Sequence, residues 1–449
     1  MSVAAPEATA SDAASPPSAL PGRAYRGYAL GLLMVIYVVN FVDRQVVSIL
    51  AEPIKRDLGL ADWQLGLMTG LAFAMLYTVL GLPIARMAER GDRPLIIAAA
   101  VAVWSGFTAL SGMAQTFTHL ILARIGVGVG EAGCTPPALS LIADTVPREQ
   151  RASAVSVYML GAPVGSILGL ALGGLIADAF GWRMAFVVVG LPGLLLAAVA
   201  ALTLREPRRR LARATGAVEP PPGIRDALRE LMASRTYWRV VGGVTIKSFA
   251  SYGALAFTGS FFFRNFPVEL AEMAAGFGLK SAGFLGLALG VTSGVTAMIG
   301  TLLGGRLADH FARKDARAFA VIPAVGALAG LPFSLAALNA DSLMAAFAFL
   351  LAPGLLGSMW LGPAYGVVQS LVQPQTRATA TAVMLFVANL IGLGLGPLFV
   401  GILSDVLVSR GLSDADAIRW SMMSFALLAL PCAWLFWSAR RSMREDIVS

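Results

Sequence analysis

Long apolar runs separated by short polar connections dominate the chain from residue 25 onward. Runs such as residues 96–104, 187–202 and 347–356 are continuous and do not alternate with polar positions. Continuous runs predict helices that cross a bilayer, whereas a membrane β-barrel requires alternation. Cutting the sequence at proline, glycine and charge clusters leaves twelve segments of about 20 residues, with centres near residues 38, 75, 104, 129, 165, 194, 250, 292, 327, 356, 390 and 428. The pattern therefore predicts an all-α membrane protein with twelve transmembrane helices in two six-helix bundles.

The composition excludes a soluble or disordered protein. Of the 449 residues, 57% are hydrophobic and 13% are charged, against about 25% charged in a typical soluble domain. A water-soluble fold could not cover the apolar surface of these runs, and a disordered chain would not contain them. Cys134 and Cys432 lie in apolar segments without CxxC spacing, and His119 and His310 fall on opposite sides of the predicted membrane. The sequence therefore predicts no metal site and no cofactor.

The basic residues indicate the orientation of the chain. The 34 lysines and arginines exceed the 26 acidic residues, but they lie mostly between apolar segments, which argues against nucleic acid as a partner. With the N-terminus inside, 24 of them fall in cytoplasmic segments, seven in external loops and three within the membrane. Cytoplasmic loops carry such an excess of positive charge. We therefore predict that both termini are cytoplasmic.

The longest hydrophilic connection divides the twelve segments into two sets of six. We predict a disordered cytoplasmic tail over residues 1–24, a first bundle over 25–204, a cytoplasmic linker over 205–236, a second bundle over 237–439 and a cytoplasmic tail over 440–449. Within the linker, apolar residues at helical spacing stand beside arginines, namely Ile224, Leu228 and Leu231 beside Arg225, Arg229 and Arg235. This pattern predicts a short amphipathic helix that lies either on the inner membrane face or in solvent.

The two halves repeat each other. Residues 85–93, which follow the second segment, read ARMAERGDR, and residues 305–313, which follow the eighth, read GRLADHFAR. The run RASA at residues 151–154 is matched by RATA at residues 377–380. Four further residues correspond at a constant offset of 227 residues: Gly165, Gly169, Gly174 and Asp178 match Gly392, Gly396, Gly401 and Asp405. Such a repeat is typical of a transporter built from two related halves.

These residues resemble the major facilitator superfamily, in which a Gly-x-x-x-Asp-Arg-x-x-Arg signature follows the second helix of each half. The chain departs from that signature at Ala85, Glu89 and His310. The resemblance covers residues 25–440 and implies alternating access, with the first, fourth, seventh and tenth helices around a central cavity. The glycines of the fifth segment, with Pro163, are similar to a motif of superfamily exporters, and ordinary helix packing is the alternative.

A narrower resemblance is to the spinster branch. It rests on NFxDR at residues 40–44, RxGxGxGEA at 124–132, SLIAD at 140–144 and GWR at 181–183. That branch includes transporters of sphingosine-1-phosphate and lysolipids, and a bacterial member fits this compact chain best. The resemblance implies a proton-coupled exporter or antiporter of an amphipathic, lysolipid or sphingolipid-like anion in a bacterial inner membrane. The alternative is a proton antiporter for drugs or organic acids within the same superfamily.

The sequence indicates a transporter rather than an enzyme. It contains no Gly-x-Ser-x-Gly elbow and no suitable nucleophile with a paired base. We expect a monomer whose partners are an amphipathic small molecule or lipid, protons and the bilayer.

Five ionisable residues lie deep within apolar segments, namely Asp43, Arg44, Arg124, Glu131 and Lys247. By the helical rise, Asp43 and Arg124 lie at similar depth, which makes them candidate partners, and Glu131 lies two turns further along the same helix. We predict that Asp43 and Glu131 exchange protons and that Arg44 or Arg124 binds an anionic headgroup. The alternative is that Asp43, Arg124 and Glu131 only neutralise one another and fix the packing. Lys247 could instead extend along apolar surface to reach water.

Further candidates line the predicted cavity or its gate. The cavity walls are expected to include Tyr37, Asn40, Phe41, Tyr158, Tyr252, Trp360, Tyr365 and Asn389. The loop signatures place charges at cytoplasmic helix ends, where they would close a gate in the outward-facing state: Glu89, Arg90, Arg93, Asp309 and Arg313. The alternatives are that the aromatic residues only pack or mark interfaces, and that the loop charges only orient the chain.

Overall fold

The computed structural model describes residues 21–147, 150–207, 224–373 and 376–446, and helices account for almost all of them. In the first half, the described chain forms α1 (Arg23–Leu58), α2 (Asp62–Thr69), α3 (Leu71–Arg90), α4 (Arg93–Ser111), α5 (Phe117–Glu131), α6 (Thr135–Thr145), α7 (Arg151–Met159), α8 (Gly161–Phe180) and α9 (Trp182–Thr203).

After residue 223 the helices are α10 (Ile224–Ala233), α11 (Arg235–Asn265), α12 (Pro267–Gly276), α13 (Ser281–Ala312), α14 (Ala318–Leu338), α15 (Leu343–Leu356), α16 (Leu361–Ser370), α17 (Arg377–Val387), α18 (Gly396–Ser409), α19 (Asp414–Ala426), α20 (Ala429–Ala439) and α21 (Met443–Asp446). A π-helical segment, Ala388–Leu395, joins α17 to α18.

Within the described residues, eleven helices are long and apolar enough to cross a membrane. The remaining predicted segment, near residue 129, is divided between α5 and α6, which a turn at residues 132–134 separates. Pro136 and Pro137 stand in the first turn of α6, where the missing N–H of proline is tolerated. The break leaves Glu131 as the last residue of α5. All twelve predicted centres fall within these spans or within α5.

The linker helix α10 is attached to the second half of the chain. The side chain of Leu231 is buried in the apolar cluster of that half, whereas Leu228 is partly exposed. The Glu230 carboxylate accepts hydrogen bonds from the backbone N–H of Gln373 at 2.9 Å and from the hydroxyl of Thr376 at 2.7 Å. Most of the predicted first tail and the arginine-rich part of the linker lie outside the described residues.

The helix ends define two faces of the bundle. At the face where α1 begins, hereafter the terminal face, the Tyr28 hydroxyl lies 2.6 Å from that of Thr203 at the end of α9. Thr236, at the start of α11, is hydrogen-bonded to Ser442, just beyond α20. The opposite face contains the turn between α1 and α2. The eleven long helices and the α5–α6 segment together make an even number of spans, which places both ends of the described chain, residues 21 and 446, at the terminal face.

Buried apolar clusters show where the two halves meet. One cluster contains Trp104 and consists of first-half residues except for Leu393 and Tyr252, and another surrounds Phe436 in the second half. A third combines residues of both halves, including Leu65, Phe257 and Phe266. Leu65 and Phe266 lie near helix ends at the opposite face, so the halves are packed together on that side.

Two pairs of helices form equivalent seams between the halves at the opposite face, the α8–α13 seam and the α2–α18 seam. A Cβ atom on Gly174 would lie 2.1 Å from the carbonyl oxygen of Ala282 across the first seam. A Cβ atom on Gly401 would lie 2.3 Å from the carbonyl oxygen of Asp62 across the second. Only glycine permits these approaches, and the two glycines hold equivalent positions in the internal repeat.

The repeated aspartates complete the two seams. The Asp178 carboxylate, near the end of α8, accepts a hydrogen bond from the backbone N–H of Gly283 at 2.5 Å. The Asp405 carboxylate in α18 accepts from the backbone N–H groups of Asp62 at 3.1 Å and Trp63 at 2.7 Å. Each carboxylate thus binds the start of a helix in the other half, where unpaired N–H groups and the helix dipole favour negative charge.

Candidate functional site

The centre of the candidate site is an ion pair between α1 and α5. Arg44 Nε donates to Glu131 Oε2 at 2.6 Å. The Glu131 side chain is fully buried, whereas that of Arg44 remains 18% exposed. The end of α5 at Glu131 places this carboxylate opposite the middle of α1. The pair therefore lies within the apolar depth of the bundle, with only the guanidinium in contact with open space.

Aromatic rings surround the Arg44 guanidinium. Its central carbon lies 4.7 Å from the ring centre of Tyr77, 4.9 Å from that of Phe73 and 5.2 Å from that of Phe41. Rings at this distance attract a cation through their negative faces. Arg44 is thus held by the Glu131 carboxylate and by Tyr77, Phe73 and Phe41, and with five N–H donors it keeps part of its hydrogen-bonding capacity for a ligand.

A second pair lies beside the first. Arg124 Nη1 is 3.5 Å from Asp43 Oδ2, so the two residues predicted to share one depth do meet. Asp43 Oδ1 accepts a shorter hydrogen bond, 2.7 Å, from the hydroxyl of Thr108 in α4. Both charged side chains are 2% exposed. The four charges balance, but Glu131 Oε1 and Arg124 Nε are buried without a hydrogen-bond partner among the described residues.

Both guanidiniums line one cavity between the halves. Its volume is about 50 Å³, which leaves room for water molecules in this state. The first half contributes Phe41, Arg44, Gln45, Ser48, Thr69, Phe73 and Arg124, and the second contributes Tyr252, Leu255, Ala256, Leu393 and Pro397. Because the walls come from both halves, a rotation of one half against the other would change the size and access of this cavity.

Several predicted wall residues lie outside this cavity. Tyr37 and Tyr158 stack with ring centres 4.5 Å apart, and Asn40 is buried beside Phe41 in the chain. Trp360 and Tyr365 pack against the apolar cluster of the second half. Asn389 belongs to the π-helical segment between α17 and α18.

Lys247 also lies apart from the paired charges. Its ammonium group approaches Gly357, between α15 and α16, where a Cβ atom would lie 3.1 Å from Nζ. Lys247 is partly buried, and no carboxylate in the described part of the chain forms an ion pair with it. It is therefore a cation of the second half that the charges of the first half do not neutralise.

The predicted gate residues whose side chains the structure describes, Arg93, Asp309 and Arg313, do not connect the halves in this conformation. Arg93 is fully buried and donates to Asp144 at 2.7 Å, to Ser140 at 3.0 Å and to Glu206, all within the first half. Asp309 and Arg313 are exposed at the terminal face. The side chains of Glu89 and Arg90 lie outside the described part of the structure.

A buried ion network at the opposite face was not predicted from the sequence. Arg264 of α11 forms two hydrogen bonds with the Asp62 carboxylate, at 2.7 and 2.8 Å, and one with Glu52 at 3.0 Å. Lys55 Nζ and the Ser404 hydroxyl donate to the same Asp62 carboxylate, each at 2.7 Å. Glu52, Lys55, Asp62 and Arg264 are hereafter the opposite-face ion network. It joins the first half to the second where the seams close.

Comparisons with known proteins place this architecture in a family. Residues 33–397 match the family model of the Major Facilitator Superfamily. The chain belongs to the major facilitator superfamily. The predicted family and the predicted class of membrane helices are therefore confirmed, and the chain shares the fold of these transporters.

Individual members of the superfamily resemble it along its length. A bacterial homologue of the human lysosomal transporter Spinster, solved in an inward-facing and unoccupied conformation, aligns with a TM-score of 0.85 and 32% identity over 96% of this chain and 100% of that one. An MFS-type efflux pump of Mycolicibacterium smegmatis is 33% identical over 95% of each chain. Protein spinster homolog 1 of Xenopus tropicalis is 28% identical over 93% of this chain and 80% of its own.

Proposed function

We propose that this superfamily transporter is a proton-coupled secondary transporter that moves an amphipathic, lysolipid or sphingolipid-like anion by alternating access. The observation that carries the proposal is the Arg44–Glu131 pair, buried on the carboxylate side and open to an inter-half cavity on the guanidinium side. The likeness to spinster proteins supports a transporter of the spinster type.

The geometry supplies a way to couple the anion to a proton. A phosphate or carboxylate headgroup suits the planar donor fork of Arg44. An anion that binds the Arg44 guanidinium in place of Glu131 would leave the Glu131 carboxylate buried without its partner. A buried, unpaired carboxylate favours binding a proton over staying charged. The rings of Phe41, Phe73 and Tyr77 would contact the apolar part of the ligand next to its headgroup. Asp43 and Arg124 form the neighbouring pair for the second exchange.

The orientation follows from charge and packing together. We assign the terminal face to the cytoplasm, because the excess of lysine and arginine lies there. The closed seams at the opposite face then correspond to an inward-facing state, the state of the solved spinster homologue. In the outward-facing state the terminal face would close, which would bring the signature loops, with Glu89, Arg90, Arg93, Asp309 and Arg313, between the halves.

The remaining wall residues complete the proposed substrate path. Lys247 would bring a second positive charge to an anion as the halves rotate, and Tyr252 already lines the cavity. We propose that the terminal half of the same path is lined by Tyr37, Asn40, Tyr158, Trp360, Tyr365 and Asn389. We expect a single chain in a bacterial inner membrane to carry out transport.

Transport in proteoliposomes tests the proposal. We expect a labelled lysolipid to move faster under an imposed pH gradient, and we expect Glu131→Gln and Asp43→Asn to transport without responding to the gradient. Asp416→Asn is a matched control, because Asp416 pairs with Arg419 at the opposite face, away from the cavity. Full gradient dependence in both Glu131→Gln and Asp43→Asn would remove these carboxylates from the coupling mechanism.

A second candidate function is antiport of a cationic drug or an organic acid. The buried carboxylates Asp43 and Glu131 could face a cation, and one relative is an MFS-type efflux pump. Antiport of a cationic drug differs from the first function in the sign of proton exchange on binding, whereas antiport of an organic acid is distinguished by transport of the labelled acid itself. A lysolipid anion at Arg44 should cause proton uptake by the purified protein in weak buffer, whereas a hydrophobic cation at the carboxylates should cause proton release. A pH-sensitive dye measures both.

A further inference from the structure

Thr108 of α4 stands between two hydrogen-bond acceptors. Its hydroxyl oxygen lies 2.7 Å from Asp43 Oδ1 and 2.9 Å from the backbone carbonyl oxygen of Trp104, one turn earlier in α4. Thr108 and Asp43 are both 1% exposed. Because a hydroxyl carries one proton, Thr108 donates to only one of these oxygens at a time.

The preferred arrangement depends on whether Asp43 carries a proton. An ionised carboxylate is the stronger acceptor, so it takes the Thr108 hydrogen bond and the Trp104 carbonyl goes without. When Asp43 is protonated on Oδ1, its own O–H donates to the Thr108 oxygen. The Thr108 hydroxyl then rotates to donate to the Trp104 carbonyl. The same three oxygen positions serve both arrangements, so no heavy atom has to move.

We propose that Thr108 is a positioning residue for proton uptake by Asp43, and that its hydroxyl switches from donor to acceptor as that proton binds. The proton comes from water in the adjoining cavity and forms an O–H bond at Asp43 Oδ1, while every heavy-atom bond is kept. The functional significance of this switch rests on the proposed proton coupling, but the switch itself is a property of the Asp43–Thr108 contact.

Ordinary helix chemistry does not account for this arrangement. Thr145, Thr245 and Thr258 also donate to the carbonyl one turn earlier, at 2.6, 2.7 and 2.8 Å, as threonines in membrane helices commonly do. None of these three has a carboxylate as a second acceptor in the described part of the chain. At Thr108 the usual bond competes with a buried acid.

The other charges near Asp43 leave Thr108 as its closest donor. Arg124 on α5 is 3.5 Å away, and Glu131 lies on that same helix, paired with Arg44 of α1. The helices that pack near Asp43 or Thr108 carry other titratable residues, none of which has a hydrogen bond to the Asp43 carboxylate in the described part of the chain: Asp62, Tyr77, Arg93, His119, Asp144, Arg151, Tyr158, Asp178, Arg183, Arg235, Tyr237, Arg239, Lys247, Tyr252 and Arg264. Among the described residues, the Thr108 hydroxyl makes the only short hydrogen bond to Asp43.

Infrared difference spectra of the full chain in lipid films test the switch without requiring a known substrate. The buffer pH is stepped, and the carboxylic C=O band of protonated Asp43 is identified by its loss in Asp43→Asn. In Thr108→Val the ionised form loses a stronger bond than the neutral form does. We therefore expect the titration midpoint of this band to move about one pH unit towards alkaline, and its frequency to rise.

Three further variants separate the hydroxyl from packing. Thr108→Ser should keep the wild-type midpoint, and Thr108→Ala should behave like Thr108→Val, which provides a second test if the valine variant folds poorly. Thr145→Val, which removes a buried back-bonding hydroxyl elsewhere, should keep the wild-type midpoint. The inference is overturned if Asp43→Asn removes no titrating band, if Thr108→Val and Thr108→Ala titrate as wild type, or if Thr108→Ser shifts as far as they do.

Transport measured on the same variants tests the coupling role of Asp43 separately from the Thr108 switch. If the infrared band of Asp43 shifts as expected but Asp43→Asn still responds fully to a pH gradient, the switch stands and the coupling role of Asp43 fails. If Asp43→Asn loses its gradient response but Thr108→Val titrates as wild type, the coupling role stands and the switch fails.

Discussion

The α8–α13 and α2–α18 seams occupy equivalent positions in the internal repeat but are held together differently. Each has a glycine against a backbone carbonyl, Gly174 or Gly401, and a carboxylate at the start of a helix in the other half. Only the α2–α18 seam, within the described residues, also contains a buried ion network, in which Arg264 binds Asp62 and Glu52. The α8–α13 seam thus closes by backbone packing and the Asp178 contact, and the α2–α18 seam by the equivalent contacts together with a buried ion network.

This difference shows that an internal repeat can produce two seams of unequal strength at one face of the molecule. Backbone packing between α8 and α13 is lost gradually as the helices move apart, because each contact contributes little. Separating Arg264 from Asp62 leaves buried charges unpaired, which costs free energy unless water hydrates them as the helices part. We therefore expect opening of the opposite face to be limited by the α2–α18 seam.

Removing Arg264 should have the largest effect. In Arg264→Gln the Asp62 carboxylate keeps only Lys55 as a cationic partner, and the Glu52 carboxylate keeps only the exposed Arg56. Loss of the buried partner disfavours the closed opposite face by up to about 3–5 kcal/mol. Spin labels at Met113 and Phe277, both 71% exposed at that face in different halves, report the change as a longer inter-label distance. The two native cysteines are buried, so labelling is confined to the introduced sites.

A matched variant on the same face gives the control. Arg183 also pairs with an aspartate, Asp57, but both side chains are more than 40% exposed and belong to the first half. Exposed pairs contribute little, so Arg183→Gln should leave the distance distribution unchanged. Equal opening in the two variants would mean that loss of positive charge, rather than loss of the buried network, separates the halves.

The opposite-face ion network also marks the limit of what the sequence could predict. Glu52, Asp62 and Arg264 stand near the ends of apolar segments, where charges are normally solvated. Their burial results from contact between halves that are distant in the chain, since Arg264 lies 202 residues from Asp62. The internal repeat did identify Gly174, Asp178, Gly401 and Asp405, because both seams need the same residue types at the same places.

The candidate site was predicted in part for a similar reason. Depth along a helix follows from counting residues, and it correctly made Asp43 and Arg124 partners. The Arg44–Glu131 pair was not predicted, because neighbouring residues on α1 point in different directions and the rotation of α1 against α5 is set by packing. Thr108 carried no signal at all, since a threonine in an apolar segment is ordinary until a carboxylate is placed beside it.

Substituting the seam glycines, Gly174 and Gly401, tests whether both seams contribute to closure of the opposite face. Gly174→Ala and Gly401→Ala each place a methyl group against a carbonyl oxygen, and such overpacking costs about 1–3 kcal/mol. We expect both variants to lengthen the distance between the labels at Met113 and Phe277. Gly81→Ala, whose new Cβ atom would meet no other group within 4 Å, should not. A wild-type distance in either seam variant would exclude that seam from closure of the opposite face.

Neutralising Asp178 or Asp405 should have the smallest effect on the inter-label distance. These two variants compare the two seams most directly, because the residues are equivalent in the internal repeat. Asparagine keeps an acceptor at the helix start but removes the charge, which is worth about 0.3–1 kcal/mol. Asp178→Asn should therefore open the opposite face slightly. Asp405 binds the backbone N–H of Asp62, so its charge lies beside the negatively charged side chain of the same residue.

Asp405→Asn therefore relieves repulsion while it weakens attraction to the helix start. We expect its effect on the inter-label distance to be smaller than that of Asp178→Asn, or opposite to it. High salt should leave this difference in place, because the charges around Asp62 are buried and poorly screened. Equal opening in Asp405→Asn and Asp178→Asn would mean that the charge of Asp62 has no effect on the α2–α18 seam. The contribution of Arg264 to that seam would then come only from its contact with Glu52.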